Sequence, residues 1–308
     1  MKRLFIAARH SADAYARRFR EELPQHEVLT RLPDDGAPVH YAVVGRPEPG
    51  LLARIPGLEL ILSLNAGVEH LLASGEVPPH VPVVRMVDAG LVEGMVEWVA
   101  AQVLVWHRNL PLYQQAQDQR RWAPLPEKLA RDRMVTVLGA GALGGPVAAT
   151  LAMLGFRVRV WSRTPRNSVG VQSFSGADQL ADAAAGADVL VNLLPYTPAT
   201  ANVVDARLLA RLAPGALLVN GGRGGTMVDA DVLAALDAGT LSRAALDVFS
   251  IEPLPVDDPY WGRRDVAVSP HVAAPTHVAT SVEVMVESVR AWERGEAPAH
   301  LVDLQRGY

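Results

Sequence analysis

The segment Met134-Val135-Thr136-Val137-Leu138-Gly139-Ala140-Gly141-Ala142-Leu143-Gly144 constrains the fold more than any other stretch of the chain. An uncharged, mostly β-branched run enters a Gly-x-Gly-x-x-Gly loop, and an apolar helical pattern follows from Leu143 to Leu154. A buried strand, a tight glycine turn and a helix make one βα unit, and such units assemble into parallel sheets covered by helices. Each glycine has a task. Gly139 permits the turn, Gly141 lets the backbone approach a pyrophosphate, and Gly144 lets the helix lie close to the strand. The free amides at the helix start, around Ala142 and Leu143, then face the negative charge. A glycine-rich turn that binds nothing is the alternative reading.

The same alternation runs along the whole chain. Strands are expected at Leu4–Ala8, Tyr41–Val44, Leu60–Leu64, Met134–Leu138, Arg157–Trp161, Asp188–Asn192, Ala216–Asn220, Arg243–Asp247 and Val266–Ser269. Helices fit between them at Ser11–Glu22, Ala177–Ala185 and Asp229–Ala238. One long helix is expected from about Val92 to Ala116, and another begins near Ala274. This is an α/β class of chain, with parallel sheets covered on both faces. A length of 308 residues suits two domains. The polar, proline-marked stretch from Arg120 to Glu127 reads as the main boundary, because a fresh strand starts beyond it.

Composition excludes several functions. There is no cysteine, hence no disulfide, no thiolate metal site and no cysteine nucleophile. The formal net charge of −4 offers no basic field for nucleic acid. The N-terminal apolar run is too short and too charged at its flanks for a signal segment. The run from Trp98 to Trp106, interrupted by Gln102, is too short to span a bilayer. A cytoplasmic protein with no membrane or nucleic-acid partner, and no metal, is the expectation.

The end of the second strand of the glycine-loop unit sets cofactor preference. Sites for NAD usually place a carboxylate there to bond the ribose hydroxyls. Here the chain reads Ser162-Arg163-Thr164-Pro165-Arg166. A carboxylate would repel a 2′-phosphate, whereas Arg163 can pair with it. The expected cofactor is NADP(H) in preference to NAD(H). Two solvated loop charges are the bland alternative.

Three later segments each leave an apolar strand and end on a polar residue. They are Leu218-Val219-Asn220-Gly221-Gly222-Arg223, Ala245-Leu246-Asp247 continuing to Glu252, and Val268-Ser269-Pro270-His271. In open α/β sheets ligands bind at that carboxyl edge. An Arg, a Glu and a His at one edge supply an anion clamp, an orienting carboxylate and a proton donor. A 2-oxo acid presents a carboxylate beside the carbonyl to be reduced, and the guanidinium fork of Arg223 matches both its oxygens. His271 can protonate the developing alkoxide, with Glu252 fixing its ring. Singly, each residue also fits a turn, a loop or a phosphate contact.

These motifs resemble the D-isomer-specific 2-hydroxyacid dehydrogenases, nearest the glyoxylate/hydroxypyruvate reductase A branch. The resemblance is carried by Asn65-Ala66-Gly67-Val68-Glu69, Gly139–Gly144, Trp161–Thr164 and Asn192–Pro195 with Thr197 and Thr200. It continues through Gly222-Arg223-Gly224, Leu246–Phe249 with Glu252–Pro255, Pro270–Ala274 and Arg306-Gly307-Tyr308. It implies two Rossmann-like doubly wound domains with a cleft between them. Residues 1–97 plus 275–308 would be the substrate-binding domain, and 98–274 the dinucleotide-binding one. It implies Arg223 as substrate clamp, His271 as acid/base and Glu252 as its partner. The amides around Ala66, Gly67 and Val68 would hold the substrate carboxylate, and Leu194, Pro195, Thr200, Gly222 and Asp247 would line the cofactor site. It also implies a homodimer to which the long helix contributes.

Two departures affect the substrate side. Gly45-Arg46-Pro47 stands where the branch carries an aromatic residue and a histidine, and His277 where it tends to carry an arginine. Arg46 either replaces the missing cation or faces water, and Trp261 either caps a small pocket or is an ordinary surface or core residue. The expected reaction is NADPH-dependent reduction of glyoxylate, hydroxypyruvate or a larger 2-oxo acid to the D-2-hydroxy acid. Competing readings are a non-catalytic NAD(P)-sensing protein of the same fold and an S-adenosylmethionine-dependent methyltransferase. The absence of a carboxylate at Ser162-Arg163 argues against the last.

Overall fold

The structure is a computed structural model that describes residues 1–8, 11–34, 36–73, 75, 77–165 and 171–303. Arg166 and the Arg306-Gly307-Tyr308 motif lie outside the described residues. The chain forms two compact units, Met1–Leu91 with Pro275–Tyr308, and Val92–Ala274. The division falls inside a helix, a few residues before position 97. The Arg120–Glu127 stretch lies within the second unit, so its prolines mark a loop there and not a domain boundary.

The first unit holds strands β1 (Arg3–Ala7), β2 (Glu27–Leu29), β3 (Tyr41–Val44), β4 (Leu60–Ser63) and β5 (Val83–Val84). Among the described residues they form one parallel sheet in the order β2-β1-β3-β4-β5. This is a doubly wound order that reverses between β1 and β3. Strands β3 and β4 are buried at every position, as a parallel sheet covered on both faces requires. Helix α1 (Ala12–Glu22) buries Tyr15, Ala16 and Phe19 on one stripe. The short α2 (Glu69–Ala73) follows β4.

Helix α3 (Ala89–His107) begins at the end of the first unit and continues into the second. It is not one helix with its successor. Asn109 takes a left-handed φ of 56°, and Pro111 opens a separate helix, α4 (Leu110–Asp118). A left-handed residue breaks the hydrogen-bond ladder, so the expected helix to Ala116 is two. As folded, α3 is 19 residues long and apolar enough by length and composition to cross a membrane. That corrects the expectation drawn from the shorter run between the tryptophans. Leu91, Met95, Val99 and Val103 recur every fourth residue and are buried, and the last three share a core with Val137 and Val191.

The second unit holds β6 (Met134–Leu138), β7 (Arg157–Ser162), β8 (Gln172–Ser175), β9 (Val189–Asn192), β10 (Ala216–Asn220), β11 (Leu241–Leu246) and β12 (Val266–Val268). They form one parallel sheet in the order β12-β11-β10-β9-β6-β7-β8. The order reverses between β6 and β9, the place where doubly wound sheets bind ligands. Alternate residues feed two cores. Leu138, Leu190, Leu218 and Leu246 pack on one face, and Val137, Val191, Val219 and Ala245 on the other. Helices α5 (Gly144–Met153), α6 (Leu180–Ala184), α7 (Ala206–Leu209) and α8 (Asp229–Asp237) lie between the strands in sequence. Helix α9 (Val278–Glu293) returns to the first unit, where its Ser281 hydroxyl lies 3.3 Å from that of Tyr15.

Candidate active site

Strand register assembles the site of the second unit. Leu138 pairs with Asn192, Asn192 with Asn220, Asn220 with Leu246, and Leu246 with Val268. These five residues end their strands in a row. The segments that follow them therefore leave from one edge: the glycine loop, Leu193–Pro195, Gly221–Arg223, Asp247–Glu252 and Ser269–His271.

The glycine loop fits a dinucleotide phosphate by its space and its amides. Gly139 has φ +100°, and a Cβ on Gly144 would stand 1.8 Å from the Gly139 oxygen, so that residue is restricted to glycine. A Cβ on Gly141 would meet no atom of the described residues beyond its chain neighbours within 4 Å and would instead occupy open space. The amides of Gly141, Ala142 and Leu143 donate to no acceptor among the described residues. They precede the N-terminus of α5, where an anion is favoured. At the end of β7, Ser162 Oγ donates to the Thr164 carbonyl at 2.7 Å, and Arg163 and Thr164 are exposed in the turn.

The loops after β9 and β10 are pinned by two buried asparagines. Asn192 Nδ2 donates to Asn220 Oδ1 at 3.1 Å and to Thr226 Oγ1 at 2.6 Å. Their side-chain oxygens accept the Leu194 and Gly222 amides. The Arg223 carbonyl receives Asn220 Nδ2 at 3.3 Å and the Thr226 hydroxyl at 2.6 Å. Arg223 Nη1 donates to the Gly222 carbonyl at 2.8 Å, so backbone and guanidinium are both held. Leu194 is buried, and the Thr200 hydroxyl bonds the Pro195 carbonyl at 2.6 Å.

His271 and Glu252 meet directly, with Nδ1 2.7 Å from Oε2. The other carboxylate oxygen, Oε1, accepts the Phe249 amide at 3.0 Å, which stops the carboxylate from rotating. With Nδ1–H donated to Glu252, Nε2 is the nitrogen left for an external oxygen. The segment carrying His271 is held by Asp247, which is 1 % exposed. Asp247 Oδ1 accepts the Ser269 hydroxyl at 2.6 Å and the Val272 amide at 2.9 Å, and Oδ2 accepts the Ala273 amide at 2.9 Å. Its carbonyl receives the His271 amide at 2.8 Å, and His271 adopts a φ of 56°.

Sequence reasoning missed the anchoring by Asn192, Asn220, Thr226 and Asp247. The available signal was a polar residue closing an apolar strand. Trp261 donates its indole N–H to the Pro255 carbonyl at 2.8 Å and stays half exposed.

In the first unit, Ala66, Gly67 and Val68 follow β4 and lead into α2. Their amides donate to no acceptor among the described residues. Asn65 Nδ2 lies 3.2 Å and His70 Nε2 2.9 Å from the Gly45 carbonyl, which fixes the loop after β3. Arg46 in that loop is exposed, and His277 occupies the position before the first residue of α9 without a side-chain capping bond.

Comparison with known proteins places the chain in a family. Residues 100–273 match the family model described as D-isomer specific 2-hydroxyacid dehydrogenase, NAD binding domain. The chain is 39% identical over 313 residues to glyoxylate/hydroxypyruvate reductase A of Serratia proteamaculans (strain 568), covering all of both chains. A D-isomer specific 2-hydroxyacid dehydrogenase from Xanthobacter autotrophicus Py2, solved in complex with NADPH and MES, superposes with a TM-score of 0.95. It is 37% identical and covers 100% of this chain and 99% of that one. The NADPH-dependent glyoxylate/hydroxypyruvate reductase of Sinorhizobium meliloti, solved with NADP and sulfate, gives a TM-score of 0.93 at 34% identity over the full length of both. The chain belongs to the D-isomer specific 2-hydroxyacid dehydrogenase family.

Proposed function

We propose that this oxidoreductase reduces glyoxylate, hydroxypyruvate or a close 2-oxo acid to the D-2-hydroxy acid, with NADPH as the preferred cofactor. The observation that carries the reading is the 2.7 Å bond between His271 Nδ1 and Glu252 Oε2, at the sheet edge that also bears the glycine loop. The named relatives, and the NADPH and NADP in solved neighbours, support the substrate class and the cofactor.

Gly139, Gly141, Ala142, Leu143 and Gly144 would hold the pyrophosphate, and Ser162, Arg163 and Thr164 the ribose 2′-phosphate. Leu194, Pro195, Thr200 and Gly222 would line the rest of the site. When bound, NADPH supplies the hydride. Asp247 enters as the residue that positions the His271 segment, since its carboxylate oxygens are already engaged within the protein.

Arg223 binds the carboxylate of the oxo acid and orients the carbonyl. The amides of Ala66, Gly67 and Val68 contribute to carboxylate binding. His271 donates a proton from Nε2 to the oxygen that gains negative charge, and Glu252 stabilises the ring through Nδ1. Residues 92–274 thus carry the cofactor, and Met1–Leu91 with Pro275–Tyr308 contribute to substrate binding.

We further propose a cytoplasmic homodimer in which α3 and α4 take part, because Leu104 and Leu110 are exposed on them. NADPH consumption on adding glyoxylate or hydroxypyruvate, followed by chiral analysis of the product, tests the reaction. No consumption with any small 2-oxo acid overturns it.

A further inference from the structure

The amino edge of the seven-stranded sheet, opposite the edge that carries His271, holds a cavity of about 620 Å³. Arg133, Gly215, Ser242 and Arg263–Asp265 sit at or before strand starts, and the end of α3 and the beginning of α4 complete its wall through Trp106 and Leu112. Four arginines line it: Arg133, Arg243, Arg263 and Arg264.

Among the described residues, two of them have ion-pair partners. Arg133 pairs with Asp188 at 2.9 Å, and Arg263 with Asp237 at 2.6 Å and Asp265 at 2.7 Å. Arg243 has no ion pair among the described residues, and its Nη1 reaches only the Arg264 carbonyl at 3.4 Å. The carboxylate nearest in charge, Asp265, is already held through two nitrogen atoms of Arg263. Burial pulls the Arg243 guanidinium below its ordinary range. The side chain of Arg264 is exposed and makes no hydrogen bond or ion pair among the described residues. Arg133 Nε is buried without a partner, while its guanidinium lies 4.5 Å over the Trp106 ring.

A half-buried guanidinium with no ion pair of its own among the described residues is costly, and the fork geometry suits phosphate or carboxylate oxygens. The volume matches that of small-molecule sites. We propose that this cavity binds a small polyanion, a phosphate-bearing or polycarboxylate molecule, with Arg243 and Arg264 as its ligands. The site is separate from the glycine loop and does not depend on the reductase reading.

Isothermal titration of the NADPH-saturated protein with pyrophosphate, and separately with citrate, at low ionic strength tests it. Saturation with NADPH removes the glycine loop as a competing phosphate site. Saturable binding of at least one probe is expected, weakened about tenfold or more by Arg243→Met and by Arg264→Met. Arg264 is exposed, so its variant keeps the test open if Arg243→Met fails to fold. A response to pyrophosphate alone assigns a phosphate ester, and one to citrate alone a polycarboxylate. No binding of either probe overturns the proposal, as does binding that both variants retain. A fall in oligomer mass by light scattering in the variants assigns the cavity to a second copy of the chain and also overturns it.

Discussion

Replacing Asp247 by Asn separates a positioning role from a cofactor contact. The carboxylate accepts three hydrogen bonds, from Ser269 Oγ, Val272 N and Ala273 N. An amide that keeps its oxygen toward Ser269 and Val272 turns its NH2 group against the Ala273 N–H. That buried donor loses its acceptor, at a cost of roughly 1–3 kcal/mol. The two remaining bonds lose their charge assistance, about half their strength and roughly 1 kcal/mol together. The segment is thus destabilised by about 2–4 kcal/mol, and it carries His271 in a left-handed conformation that costs about 1–2 kcal/mol by itself. If about half of this is relieved by displacing the imidazole, kcat falls roughly 5–30-fold. Steady-state kcat, NADPH affinity and Tm should be measured together. The expected result is a large loss in kcat with NADPH affinity almost unchanged. Weakened NADPH binding at unchanged kcat would refute the reasoning and make Asp247 a direct cofactor contact.

Other perturbations give independent checks. Arg163→Ala should lower kcat/KM for NADPH about tenfold or more and leave NADH almost unaffected; equal losses with both would remove Arg163 from phosphate recognition. Gly144→Ala places a methyl group against the Gly139 carbonyl and should abolish NADPH binding along with a fall in Tm, read by fluorescence and thermal melting. Burial pushes the Tyr41 hydroxyl up from its usual 10.0 to about 12. Between those values the native state holds a proton that the unfolded chain has lost, so stability falls as pH rises through the window. Tyr41→Phe should flatten that alkaline slope in urea-unfolding curves, and an unchanged slope would assign it elsewhere.

Much of this architecture was legible in the residues because parallel strands buried on both faces are unbroken apolar runs. Tyr41–Val44, Met134–Leu138 and Ala216–Asn220 occupy the expected positions. The strands that escaped notice, Glu27–Leu29, Val83–Val84 and Gln172–Ser175, are all at sheet edges. Edge strands are short and need no apolar run, and Gln172–Ser175 is largely polar. The expected helix from Val92 to Ala116 overlooked the turn that Asn109 and Pro111 encode locally. In the site, the glycine loop and the ends of β10, β11 and β12 were readable because strand ends in this topology converge on one edge. The carboxylate anchoring of the His271 segment was not readable, since Asp247 reaches partners 22 to 26 residues away. Likewise, the bond from Asn192 to Asn220 spans 28 residues and exists only once β9 and β10 pair.

The most direct measurement is stopped-flow NADPH oxidation by the wild-type enzyme and the His271→Ala variant on mixing with glyoxylate or hydroxypyruvate. Removing the imidazole should slow oxidation by about 10²–10⁴-fold while NADPH still binds with near wild-type affinity. An unaltered rate in the variant would show that the proton comes from elsewhere, and the assignment of the chemistry to this sheet edge would fail.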